Sequence, residues 1–203
     1  MVWIAELLVA DEPEAWRSCG FTVDDDGVCQ IGTVRVRLDP SAADKGIVSW
    51  ALHEAPEGTT NVDGLATSAS AATEAPPPVH KNGAEIIDHL VVISPDVLRT
   101  AAVLEGLGLP LKGLKDSGTY GKPMRQAFFR MGEVILEVVG GPEPDPGGGP
   151  ARFYGIALTM ASLDDVKSLL GERMGTPKPA AQEGRLITTI HADLRVPVAL
   201  MSA

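Results

Sequence analysis

The chain has 203 residues, 44% apolar and 22% charged, a globular composition with enough apolar material for one large domain or two small ones. A formal net charge of −10 without any cluster of Lys and Arg argues against nucleic acid, whose phosphates need clustered cations. No apolar run approaches a membrane span, no basic segment precedes the short apolar start, and the two cysteines lack CxxC spacing, so a soluble cytoplasmic protein with two free thiols is expected.

In chain order, "WIAELLVA" predicts a strand and "DEPEAWRSCG" a short helix, with "FTVDDDG", "VCQIG" and "TVRVRLD" as three further strands. Asp26-Gly27 predicts a hairpin turn, and the run of aspartates lacks the spacing of a calcium loop. "GIVSWALHEA" (46–55) is one more strand with no helix behind it. The N-terminal region is thus a degenerate unit plus an extra strand over 1–65, followed by a flexible linker over 66–83, where small residues and proline leave nothing to bury.

The order then returns. "EIIDHLVVIS" predicts a strand, and "SPDVLRTAAVLEGLGL" a helix with Ser94 as N-cap and Pro95 as its first residue. One strand is expected between Leu109 and Lys122, then "MRQAFFRMG" and "EVILEVVGG" as strands meeting at Met131-Gly132, which completes a unit over 84–142. The Gly/Pro stretch "GGPEPDPGGGPA" lacks the Lys-Ser/Thr pair of a phosphate loop and is read as a linker over 143–151. The unit at 152–203 repeats the pattern: strand "RFYGIALTMA", helix "SLDDVKSLLGERMG" capped by Ser162 with Asp165 in the capping box and Gly175 at its end, then strands "GRLITTIHADL" and "VPVALMSA". "IGTVRVRLD" aligns with "MGEVILEVV", setting Gly32 on Gly132.

Tandem strand, helix, three-strand units, one opened by "IDHLVV" and closed by "GEVILEVV", resemble the vicinal oxygen chelate superfamily of glyoxalases, bleomycin-resistance proteins and extradiol dioxygenases. The resemblance implies an α+β fold in which tandem βαβββ units form curved, mostly antiparallel sheets around a cavity. It also implies a divalent metal held by a His, Gln or Glu from each first strand and a Glu from each last strand. His89 and Glu137 match those positions, with Zn, Ni, Mn or Fe as the candidate ion and Glu137 as the candidate base. A histidine hydrogen-bonded to Glu137 with no metal fits the same two residues.

The partner unit departs from the pattern, because the alignment places Gly155 at the histidine position and Ala199 at the glutamate position. His191 is the candidate third ligand, whereas His53 and His80 are expected in solvent. In the N-terminal unit Glu6 and Arg37 fall at the two ligand positions, where they would either form an ion pair or stand as solvated charges on the strand face. Candidate ligand-binding residues are Gln126 or Arg125, of which alternation lets only one face inward, with Phe128, Tyr154 and Arg185. The expected function is binding of a small organic molecule, with Gly155 and Ala199 opening the cavity. The alternative is a metal-dependent lyase, isomerase or dioxygenase. No membrane or nucleic-acid partner is expected, and a homodimer would give the N-terminal unit a partner surface.

Overall fold

The computed structural model describes residues 2–42, 44–71, 76–118 and 122–203. Parts of the expected linker (72–75) and of the loop before Lys122 (119–121) lie outside the described residues.

The first half holds β1 (Trp3–Ala10), α1 (Pro13–Ser18), β2 (Val28–Ile31), β3 (Val34–Leu38), β4 (Gly46–His53), β5 (Asn61–Val62) and β6 (Leu65–Ala69). These strands form a six-stranded sheet in the order β2-β3-β1-β4-β6-β5. The second half holds β7 (Ala84–Ile93), α2 (Val97–Gly106), β8 (Leu111–Ser117), β9 (Met124–Met131), β10 (Val134–Gly140), β11 (Arg152–Met160), α3 (Leu163–Leu170), β12 (Lys178–Pro179), β13 (Leu186–Thr189) and β14 (Val198–Ser202). Its sheet runs β12-β13-β14-β11-β7-β10-β9-β8. The fold is α+β and mostly sheet, as expected.

The two sheets share one plan. β1 is parallel to β3 and antiparallel to β4, and β4 is parallel to β6. β7, β10, β11 and β14 repeat those relations. Each sheet packs one face into the core through residues such as Leu7, Val36, Leu52, Leu90, Leu136 and Leu158, all 0% exposed. The opposite, open faces carry the polar side chains described below.

Several expectations need correction. β4 is not a stray strand, because it opens a second unit with β5 and β6. β6 extends into the expected linker: Leu65 and Thr67 are buried, and Trp50 Nε1 donates to Thr67 Oγ1 at 2.7 Å. Its small residues hid the period-two pattern. "FTVDDDG" forms no strand. Phe21 packs on Trp16 with ring centroids 4.9 Å apart, while the Asp24 carboxylate accepts the amides of Asp26 and Val28 and shapes a turn. The N-cap of α2 is Asp96, whose side chain accepts from the Arg99 amide, and Ser94 Oγ instead accepts from the Asp96 amide. Ser162 does cap α3, but that helix stops at Gly171, whose φ of 58° favours glycine, and not at Gly175.

The Gly32 turn, aligned with Gly132, sits on the second half. Glu133 accepts the amide and hydroxyl of Thr33 at 2.6 and 3.0 Å, and a Cβ on Gly32 would lie 2.1 Å from that carboxylate. Both cysteines are free and buried, and burial pushes the Cys29 thiol up to about 12. No helix among the described residues is long and apolar enough to cross a membrane.

His80 is buried, not solvated. Its Nδ1 accepts the Thr22 amide at 3.0 Å and its Nε2 faces the Gln30 carbonyl at 2.9 Å, so the neutral Nε2–H form fits and ties the end of the linker to the first half. Burial lowers its pKa, with the Gln30 carbonyl opposing. The unfolded chain therefore binds the extra proton first. Stability from His80 is complete above the unfolded value of about 6.5 and declines as pH falls below it towards the lower folded value. In melts between pH 7 and 5, His80→Gln should flatten the pH dependence of Tm, and an unchanged slope would refute this.

Candidate functional site

The candidate site begins with an irregularity in β7. Against β11 the register passes from His89 opposite Ala157 directly to Ile87 opposite Leu158, so Asp88 is an extra, bulged residue. The bulge turns two successive side chains to the same side, and His89 Nδ1 lies 2.9 Å from Asp88 Oδ1. The other Asp88 oxygen accepts from Arg185 Nη1 at 2.6 Å and Thr159 Oγ1 at 3.2 Å. Arg185 also donates to the Ser202 carbonyl, Gln182 Oε1 and Thr159 Oγ1. Burial pushes the Asp88 carboxyl up, but the hydrogen bonds from His89 and Arg185 outweigh it and hold the group well below the usual carboxylate range.

While Nδ1 of His89 donates to Asp88, its Nε2 lies 3.8 Å from Glu137 Oε2, too far for a hydrogen bond. His89 and Glu137 sit diagonally, since His89 lies opposite Ile135 and Glu137 opposite Val91. Gln126 Nε2 donates to Glu137 Oε1 at 2.6 Å, and Ser117 Oγ donates to Gln126 Oε1 at 3.1 Å. A polar line thus crosses the open face from Ser117 through Gln126, Glu137, His89 and Asp88 to Arg185. The hydrogen bond expected between His89 and Glu137 is replaced by the one to Asp88.

The alternation between Arg125 and Gln126 resolves in favour of Gln126. Arg125 is on the other face, paired with exposed Asp116 through two contacts of 2.8 Å. Phe128 lies directly opposite Glu137 and is half-buried. Tyr154 is exposed where the register shifts between Phe153 and Gly155. His191 is not beside Glu137. It follows β13 in a loop, with Nε2 3.4 Å from Thr189 Oγ1, and lines a cleft with Glu14 and Arg173 against α1. His53 is half-buried and stacks on Trp3.

Strand register supports the alignment of the partner unit. Ala157 pairs with Ala199 as Val91 pairs with Glu137, so Gly155 holds the place of His89. That place is not open space. A Cβ on Gly155 would lie 2.5 Å from the Pro197 carbonyl oxygen and 3.0 Å from its Cβ. The expectation that Gly155 widens a cavity is therefore corrected: backbone fills it, and no side chain fits there. In the first unit Leu8 pairs with Arg37, which puts Glu6 at the equivalent position. Arg37 donates to both oxygens of Glu6, at 3.1 and 3.2 Å, so of the two alternatives the ion pair is the one present. In the second unit the same positions are Ser49 and Ser68.

A metal of the family type takes donors from both units of a pair. Here one unit supplies an imidazole and a carboxylate, the facing unit supplies none and has no room at Gly155, and Asp88 is committed to Arg185. Among the described residues no three His, Cys, Asp or Glu side chains form a group that could hold an ion. The donor set does not fit that metal centre.

Sequence reasoning left Thr159, Gln182 and Ser117 out of the site. Asp88 could have been added, since a carboxylate inside an apolar strand needs a partner.

No protein-family model matches the chain, and no curated protein matches it. Solved structures do. A variant of homoprotocatechuate 2,3-dioxygenase from B. fuscum has a TM-score of 0.64 at 14% identity, covering 99% of this chain and 70% of that one. A catechol 2,3-dioxygenase gives 0.62 at 13%, covering 99% and 93%. A 4-hydroxymandelate synthase variant from Streptomyces coelicolor gives 0.63 at 15%, covering 98% and 92%. The chain has the vicinal oxygen chelate superfamily fold. At these identities the likeness concerns the fold, and within that fold the first sheet is a second, altered copy of the plan that carries His89 and Glu137.

Proposed function

We propose that the chain binds a small organic molecule on the open face of its second sheet, using Glu137, His89 and Gln126 as polar anchors without a family-type metal. The observation that carries this reading is the one-sided donor set. His89 and Glu137 come from one unit, while the facing unit presents Ala157 and Ala199, with Gly155 closed by Pro197. Half-buried Val91, Ile135 and Phe128 surround the anchors, which suits a ligand with an apolar body and one or two polar groups. The fold neighbours named for catechol and homoprotocatechuate support small organic molecules as the ligand class.

A thermal-shift screen of small organic molecules in EDTA tests the reading. A ligand at a hundred times its Kd adds about 2.7 kcal/mol, several degrees of Tm for a chain of this size. Hits should appear in EDTA and vanish in Glu137→Gln. Hits that require Zn²⁺, Ni²⁺, Mn²⁺ or Fe²⁺ would overturn the proposal in favour of a metal-dependent lyase, isomerase or dioxygenase.

A further inference from the structure

The open face of the first sheet carries a different chemistry at the corresponding places. Glu6 is shared by two guanidiniums on the neighbouring strand. Arg37 takes both carboxylate oxygens through hydrogen bonds, whereas Arg35 touches one of them only through Nε at 3.4 Å. The three side chains are 23–38% exposed, so they are desolvated enough to matter and still accessible. Asp24 and Asp26 act on Arg37, and Glu133, the carboxylate at the nearby turn, is engaged by Thr33. Arg35, held by that one 3.4 Å contact, is therefore the less committed of the two guanidiniums.

Further along the same face, Trp3 and His53 lie opposite each other on β1 and β4, with ring centroids 4.8 Å apart and planes inclined at 32°. The two rings stack on one another, and both are half-buried, which leaves part of each ring accessible. Across the bulge at Ala5, Trp3 and Glu6 face His53 and Ala51, two residues apart on β4, so Trp3 lies about 7 Å along the strand from Glu6, the residue opposite Arg35. A guanidinium fork matches a planar carboxylate, and an indole-imidazole pair accepts an aromatic ring.

We propose that this face is a second small-molecule site, taking an aromatic carboxylate with its ring on Trp3 and His53 and its carboxylate on Arg35. It is independent of the His89 site.

Benzoate is the probe, with neutral benzamide as its control. Trp16 and Trp50 are 0% and 1% exposed, so Trp3 is the tryptophan a ligand here can reach. Benzoate should quench the fluorescence of the intact protein saturably in EDTA, and Trp3→Phe should abolish the change. Arg35→Ala should raise Kd roughly tenfold or more, as expected for a lost charged hydrogen bond, with Arg35→Lys between the two. Benzamide on the unaltered protein should bind correspondingly worse, a comparison that needs no folded variant. No saturable quenching, equal binding of benzoate and benzamide, or an unchanged Kd in Arg35→Ala would overturn the proposal. So would loss of benzoate binding in His89→Ala, which would place the ligand on the other face. Hits on the second sheet should survive Arg35→Ala, so each proposal can fail alone.

Discussion

Replacing Asp88 with alanine should destabilise the protein by about 3 kcal/mol, because removing one partner of a largely buried ion pair strands the other. Two groups lose their partner at once. Arg185, bonded to Asp88 at 2.6 Å, keeps only neutral acceptors, and His89 loses the carboxylate that orients its ring. Urea unfolding at pH 7 measures the loss, and a change below about 0.5 kcal/mol, the scatter of ordinary surface substitutions, would contradict the network described here. Asp88→Asn retains part of the hydrogen bonding and should fall between alanine and the native residue. The pH dependence has a definite sign. The folded carboxyl lies below its unfolded value, so its contribution is complete above about pH 4 and is lost as pH falls through the folded value. The gap between the protein and Asp88→Asn should therefore narrow in acid.

Gly155→Ala should cost about 2 kcal/mol, although glycine to alanine within a strand ordinarily helps. The added methyl would meet the Pro197 carbonyl oxygen at 2.5 Å, and that oxygen is backbone which already accepts the Ile156 amide, so it cannot move aside cheaply. Gly106→Ala, near the end of α2 with nothing within 4 Å of the new methyl, is the internal control and should be neutral or slightly stabilising. If the two substitutions behave alike in melts, the closed position at Gly155 is wrong. If they differ as expected, installing a histidine at 155 to rebuild a metal centre would destroy packing before it created a ligand.

The repeated element order was legible because it rests on local chemistry. β-branched runs and glycine turns recur, side-chain caps open the two helices of the second half, and the alignment of Gly32 with Gly132 is reproduced by matched turns. Pattern failed where small or polar residues did strand work. β6 hides in "LATSA", and the helix-free second unit could not be recognised without its partner strand. His80 looked solvated for the same reason. A residue after a proline-rich stretch carries no local sign that the Thr22 amide and Gln30 carbonyl wait for it across the fold.

The sequence by itself determined the plan of three of the four units, the placement of His89 and Glu137 at equivalent strand positions, the absence of donors at Gly155 and Ala199, and the matching strand positions of Glu6 and Arg37. Each follows from the order of residues along strands whose alternation is set by backbone geometry. The tertiary structure decided what those residues do with their neighbours. The bulge that swings Asp88 beside His89, the reach of Arg185 from the segment before β13, and the Pro197 carbonyl against Gly155 all join positions distant in the chain. Such contacts depend on register and packing between strands, which no single stretch of sequence encodes.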